Sequence, residues 1–281
     1  MRTVYCSAVK NTVKRLILEA SYRIGPDVER AVACALESEP SPVGRSTLSQ
    51  ILENYDIARQ DSVAICQDTG MAVVFAGVGQ DVHFEGGSFQ KAIDDGVREA
   101  YEEGYLRKSV VTDPLFDRLN TKTNLPAVVY TDITEGDKVK LLITLKGFGS
   151  ENMSAIKMLT PADGVEGVER FVAETVINAG PNPCPPVIVG VGIGGTMDKA
   201  ALLAKKATAR AVDVHSPDPR YRELEQRILD RINRSGVGPG GTGGRTTALA
   251  VHIDWYPTHI AGLPVAVNIC CHAARHASAE L

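Results

Sequence analysis

The apolar positions along this chain change period several times, and each change marks an element. From Val9 to Ile24 they recur at Val13, Leu16, Ile17 and Ala20, with Lys10, Lys14 and Arg15 elsewhere on the surface, which predicts an amphipathic helix. Pro26-Asp27 starts a second helix that runs to about Glu39. Ser46-Thr47 is expected to cap a third, with Leu48, Ile51, Leu52 and Ile57 as its apolar stripe. Val63-Ala64-Ile65 reads as a short strand that delivers Cys66-Gln67-Asp68-Thr69-Gly70 into a turn, and Met71 to Ala76 continues extended. Val82-His83-Phe84 predicts another short strand, followed by a helix from about Ser88 to Glu103 that stops at Gly104. Residues 127–146 alternate around Gly136-Asp137, the pattern of a β-hairpin in which Ala127–Tyr130 turns back into Lys138–Leu145. A loop at Lys146–Asn152 and a helix near Val165–Ala179 come next. The glycine-rich apolar run Val187–Thr196 leads into a helix at Met197–Ala211, and Pro219–Arg234 forms a charged amphipathic helix. Strands at Ala248–Ile253 and Pro264–Ile269 complete the series.

Helices interleaved with short strands and a hairpin favour an α+β class over a regular βαβ series, here as one large domain over residues 1–281. No apolar run reaches the roughly 18 residues of a membrane span. The N-terminus lacks an apolar signal core, so the expected compartment is the cytoplasm. A formal net charge of −4 leaves no global basic footprint for nucleic acid. It places no bar on a small anionic substrate, which needs only local positive charge.

Cysteine usage changes the picture. The six cysteines are too scattered for a disulfide framework, and no Cys-x-x-Cys pair suggests a zinc ribbon or a thioredoxin-like site. Cys34, in Val32-Ala33-Cys34-Ala35-Leu36 on a helix, reads as a small core residue. Cys66, Cys184 and Cys271 instead sit among Gly, Pro and polar residues. Three isolated thiolates can hold three corners of a [4Fe–4S] cluster, leaving the fourth iron open as a Lewis acid. The run Gly190-x-Gly192-x-Gly194-Gly195 is a weak dinucleotide fingerprint, because no acidic ribose partner follows it. Its glycines, like those of Gly240-Gly241-Thr242-Gly243-Gly244, are better explained by close backbone approach to a ligand or a packed neighbour. Neither run is followed by Gly-Lys-Ser/Thr, so a P-loop is excluded, and no Gly-x-Ser-x-Gly elbow indicates a hydrolase.

Four longer motifs complete the pattern: Ile65-Cys66-Gln67-Asp68-Thr69-Gly70; Lys146-Gly147-x-Gly149-Ser150-Glu151-Asn152; Pro183-Cys184-Pro185-Pro186 leading into Gly190–Thr196; and Asn268-x-x-Cys271-His272-Ala273-Ala274-Arg275-His276. In these motifs and their order, from about Ile17 to the C-terminus, the chain resembles the class I fumarase / L-tartrate dehydratase family of iron–sulfur hydro-lyases. It resembles the catalytic α subunit, or equally the N-terminal half of the single-chain enzymes. The resemblance implies a [4Fe–4S] cluster on Cys66, Cys184 and Cys271, with Cys270 an adjacent alternative to the third. It implies a dicarboxylate substrate that meets Gln67, Asp68, Arg107, Gly149 and His259, with Asp68 in the proton relay, supporting a threonine base from the module absent here. On the residues alone, the alternatives are that Asp68 caps the Thr69-Gly70 turn, that Arg107 is a solvated helix-end arginine, and that His259 is structural. His272, Arg275 and His276, beside the third ligand, are read as donors to cluster sulfur or to a partner subunit. Glu223, Glu225, Arg227 and Asp230 read as charges on a solvated helix.

The reaction expected from the resemblance is reversible hydration of fumarate to L-malate, with L-tartrate dehydration as the alternative. A smaller β subunit in an α₂β₂ assembly is the implied partner, without which the chain is expected to show little turnover. A non-catalytic iron–sulfur oxygen sensor on the same scaffold is the reading from another class.

Overall fold

The computed structural model describes residues 1–281. In chain order its strands are β1 (Arg2–Tyr5), β2 (Met71–Gly79), β3 (Val82–Glu85), β4 (Val128–Thr134), β5 (Val139–Lys146), β6 (Ala155–Leu159), β7 (Val187–Gly194), β8 (Ala248–Tyr256), β9 (Leu263–Cys270) and β10 (His276–Glu280). Its helices are α1 (Cys6–Tyr22), α2 (Pro26–Ser38), α3 (Pro42–Asp61), α4 (Phe89–Glu103), the short α5 (Phe148–Glu151), α6 (Gly164–Ala179), α7 (Met197–Ala207) and α8 (Pro219–Asn233). The α+β class is borne out. The chain divides into two compact units, one of Met1–Ile24, Tyr55–Phe148 and Arg275–Leu281, the other of Gly25–Asn54 and Gly149–Ala274.

The first unit is a four-stranded sheet in the order β10-β5-β2-β4. The packed helices α1 and α4 supply Val9, Val13, Leu16, Ile17, Ile93, Val97 and Tyr101 to its core, against Val74, Leu141 and Ile143 of the strands. The helices approach closely because Gly96 of α4 has no side chain; a Cβ there would lie 2.6 Å from the Lys10 carbonyl oxygen. Outside the seam, Lys10 pairs with Glu99 at 2.8 Å and Lys14 with Glu103 at 2.9 Å. A separate parallel pair, β1 with β3, closes the N-terminus.

The hairpin expected over 127–146 is not formed. β4 and β5 do follow one another, but β2 lies between them, parallel to β4 and antiparallel to β5. Alternation detects strands and is blind to a third strand inserted between two neighbours in sequence. Val63–Ile65 is not a strand either; Ile65 donates its N–H to the Ser21 carbonyl oxygen at the end of α1, at 3.0 Å.

The second unit is a sheet in the order β6-β9-β7-β8. One face carries Val187, Val189, Val191, Val251, Ile253, Val265, Val267 and Ile269 against Val168, Val172 and Val176 of α6 and Leu224, Ile228 and Ile232 of α8. The other face holds α7, where Ala200 and Ala204 pack on Ala266. The β7 glycines serve this packing. A Cβ at Gly190 or Gly192 would come within 2.0 Å of the Ala204 or Ala200 carbonyl oxygen, which settles the close-approach question in favour of a packed neighbour. α3 starts at Pro42, so Ser46 and Thr47 lie within it, and its buried side chains are Leu48, Ile51, Tyr55 and Ala58, with Ile57 exposed. Cys34 is exposed on α2, contrary to its core assignment. Glu225 is also corrected. It is buried on α8, accepting from Arg210 Nη1 at 2.9 Å, Ile253 N–H at 2.7 Å and Ser216 N–H at 3.0 Å.

Candidate active site

In the first unit the segment after Cys66 is clamped from several directions. Gly70 adopts φ +80°, and a Cβ there would lie within 2.9 Å of the Lys146 backbone. The buried Tyr101 hydroxyl donates to the carbonyls of Thr69 and Gly70, at 3.0 and 2.8 Å. Burial pushes its phenol well above the ordinary tyrosine range. Asn124, also buried, donates from Nδ2 to the Gly70 carbonyl at 3.1 Å and accepts the Ser109 N–H at 2.8 Å. Thr69 Oγ1 donates to the Arg107 carbonyl at 2.8 Å, so Arg107 is tethered by its main chain while its side chain is exposed. The Cys66 thiol is half-buried, 3.3 Å from Gln67 Oε1.

Asp68 does cap this turn: Oδ1 accepts the Gly70 N–H at 3.1 Å and Oδ2 the Phe148 N–H at 2.8 Å. A carboxylate offers about four acceptor positions, so both oxygens keep capacity for a further donor. A Cβ at Gly147 would lie 3.2 Å from Asp68 Oδ2 and 3.4 Å from Arg275 Nη2, so both side chains approach the bare face of Gly147. Arg275 is buried, with Nε and Nη1 making no hydrogen bond.

The second unit holds the other two cysteines. Cys184 sits on the turn that follows α6, exposed, with its N–H bonded to the Pro181 carbonyl at 3.0 Å. Its φ of +55° is a left-handed conformation that an L-residue rarely adopts. Gly149 lies beside this turn, 3.4 Å separating the Asn182 carbonyl oxygen from where a Cβ would stand. Two residues on, Glu151 is ion-paired with Lys205 and accepts from Asn268 Nδ2 at 2.8 Å. Asn268 is on β9, three residues before Cys271. Ser154 Oγ adds bonds to Asn268 Nδ2 at 3.0 Å and Ile269 N–H at 3.1 Å. This network ties the Gly149 segment to the strand that ends at the third thiol.

Cys270 is buried as the last residue of β9, whereas Cys271 lies just beyond the strand and is half-buried, with Sγ 3.9 Å from the Ala273 carbonyl oxygen. The half-exposed position supports Cys271 over Cys270. His259 is exposed in the loop before β9, its Nδ1 accepting the Ala261 N–H at 3.2 Å. It borders a cavity of 410 Å³ lined also by Ile193, Tyr221, Leu224, Thr258 and Leu263. Cys271 follows one end of β9 and the His259 loop precedes the other, and at strand rise the two ends lie more than about 20 Å apart. The second unit therefore does not bring these two residues together.

Cys66 belongs to the first unit and Cys184 and Cys271 to the second; neither unit by itself gathers three or more His, Cys, Asp or Glu side chains fit to hold a metal ion. The donor chemistry fits an iron–sulfur group. All three sulfurs lie outside the hydrophobic cores, on turns or just past an element end, and thiolate is the ligand such clusters take. Tyr101 and Asn124 escaped the sequence reading as structural supports of this segment. Tyr101 falls in the apolar stripe of α4, where its hydroxyl carries no separate signal.

The fumarate hydratase (Fumerase) family model matches residues 10–280. The chain belongs to this family of hydro-lyases. A relative from Methanocaldococcus jannaschii, provisionally named L(+)-tartrate dehydratase subunit alpha, is 42% identical over 275 residues, covering 96% of each chain. The L(+)-tartrate dehydratase subunit alpha of Escherichia coli K12 is 33% identical over 259 residues, 91% of this chain and 84% of its own. That of Shigella sonnei shows the same identity and coverage. The iron–sulfur character of the family agrees with the thiol donors just described.

Proposed function

We propose that this chain is the alpha subunit of an L(+)-tartrate dehydratase, with Cys66, Cys184 and Cys271 as the ligands of a [4Fe–4S] cluster. This reverses the order of preference drawn from the sequence, which put fumarate and malate first. The observation that carries the reading is the 42% identity, over 96% of both chains, to a relative named for tartrate dehydratase. The family model's fumarate hydratase description keeps fumarate hydration as the second reading.

Dehydration of a hydroxy acid needs a better leaving group than hydroxide and a base for the neighbouring carbon. A [4Fe–4S] cluster on three cysteines supplies, when bound, an open iron with Lewis-acid character. The chain's own residues do the rest of the positioning. Arg107 presents an exposed guanidinium from an anchored main chain, and its planar fork suits a carboxylate. Gln67 adds an amide from the Cys66 turn, and Gly149 a backbone N–H beside the Cys184 turn. Asp68, held by the Gly70 and Phe148 N–H groups, keeps lone pairs for the hydroxyl of a base supplied by a beta subunit. The subunit-alpha names of the relatives support a beta-subunit partner, which this reading takes as the source of the base. An α₂β₂ assembly completes the proposal.

The test is anaerobic reconstitution of the chain with iron and sulfide, followed by assay with a candidate beta subunit on L(+)-tartrate and on L-malate. Turnover of tartrate well above malate supports the first reading, and the reverse ratio supports fumarate hydration. A chain that takes up no cluster under these conditions removes both.

A further inference from the structure

The glycine-rich segment 236–244 is unused by the mechanism above, yet it sits against the turn that carries Cys184. Gly240 donates its N–H to the Pro185 carbonyl at 2.8 Å, immediately after Cys184. Gly241 meets the same turn at Pro181. A Cβ there would lie 2.4 Å from Pro181 Cβ, and Pro181 is the residue whose carbonyl holds the Cys184 N–H. The segment is folded tightly on itself: Gly243 donates to the Val237 carbonyl at 2.9 Å, and a Cβ at Gly238 would strike the Gly243 carbonyl carbon at 2.3 Å. It thus forms a strap with two points of contact on the cysteine turn.

The far end of the strap is fixed by one buried carboxylate. Glu39, at the end of α2, accepts the Arg245 N–H at 2.9 and 3.0 Å, the Thr246 N–H at 2.9 Å and the Ser41 N–H at 3.1 Å. Gly244 lies over it, with room for no side chain; a Cβ would be 2.6 Å from Glu39 Oε1. Burial alone would raise the Glu39 pKa. The N–H groups of Arg245, Thr246 and Ser41 outweigh that and hold the carboxyl below its ordinary value. A buried carboxylate with this many backbone donors is a costly anchor, which is out of proportion for an unconstrained surface loop.

We propose that Glu39 is a positioning residue for Cys184: it anchors the 236–244 strap, and the strap holds the Pro181–Pro186 turn in the left-handed conformation that presents the thiol. The role given to that thiol rests on the cluster reading above; the brace itself does not.

Hydrogen exchange on the apoprotein, read by mass spectrometry, tests the brace without any cluster. In Glu39→Ala the peptides covering 179–188 and 236–247 should both exchange about tenfold faster, while the peptide around Cys66 keeps its wild-type rate. Glu39→Gln, which retains one acceptor oxygen, should fall between. Faster exchange in 236–247 with 179–188 unchanged would overturn the proposal. Should Glu39→Ala fail to fold, two glycine variants decide. Gly241→Ala and Gly243→Ala both place alanine at positive φ, but only position 241 has a neighbour to push. Loosening of 179–188 in Gly241→Ala alone supports the brace, and equal effects in both overturn it. After reconstitution, the same variants should release iron to a chelator about tenfold faster than wild type. If wild type binds no cluster, the cluster reading falls, and the exchange result still stands on its own.

Discussion

Cys270 and Cys271 are neighbours in sequence with opposite surroundings, and that contrast gives a direct test of the ligand set. Cys66→Ser, Cys184→Ser and Cys271→Ser should each reduce iron from about four per chain to a small fraction after anaerobic reconstitution, whereas Cys270→Ser should keep it. Iron and sulfide counting with electron paramagnetic resonance reads the outcome; loss in Cys270→Ser with retention in Cys271→Ser would reverse the assignment. His252 gives a second test at this scale. It is fully buried on β8, with Nδ1 3.1 Å from the Ala207 carbonyl. Burial first, and the Arg210 charge second, push its pKa down to about 4. The unfolded chain therefore binds a proton that the folded chain refuses between about pH 6.5 and 4. His252's contribution to stability is complete above pH 6.5 and is lost as pH falls through that window, by up to about 3 kcal/mol. Urea unfolding at pH 7.5 and pH 5 should show this slope in wild type and a shallower one in His252→Gln; equal slopes would refute it.

Elements were legible where a helix or strand has a one-sided apolar period, and less so where pairing decides. α1, α2, α4, α6 and α8 emerged within a few residues of their limits, because each buries a stripe and has Pro, Ser or Gly at an end. β1, β6 and β10 escaped notice. They are four or five residues long, too short for alternation to stand out, and are defined by partners distant in sequence. The same cause turned β4 and β5 into an expected hairpin. At the candidate site, the cysteines and Asp68 stood out in motifs and Arg107 came from the family resemblance alone, whereas the capping role of Asp68 was one of two open readings, decided by its bonds to Gly70 and Phe148. Glu225 was misread because a charged residue on a charged helix gives no hint that its three donors come from two other segments. The fit of α7 on β7 yields a prediction at this scale. Gly192→Ala drives a methyl into the Ala200 carbonyl and should cost about 2–3 kcal/mol. Gly136→Ala meets nothing and should cost only about 1 kcal/mol for its positive φ. Thermal melts of the two variants compare them, and equal losses would dismiss the packing account.

For the molecule as a whole, the proposed reaction draws on a second subunit. The reconstituted chain alone should therefore hold its cluster but turn over tartrate at no more than about one per cent of the rate reached with a beta subunit, given the 10²–10⁴-fold that a positioned base contributes. Steady-state assays with and without the partner measure the ratio; full activity from the chain alone would remove the need for a partner base. No helix is long and apolar enough to cross a membrane.

The position of β10 has a consequence for biosynthesis. β10 pairs with β5 along Thr144–Lys140, and Leu281 exchanges two hydrogen bonds with Val139. The first unit contains residues made before any of the second, yet its sheet lacks an edge until residues 276–280 have left the ribosome. The second unit's segments all precede Arg275, so on a translating ribosome the unit begun later has every one of its strands first.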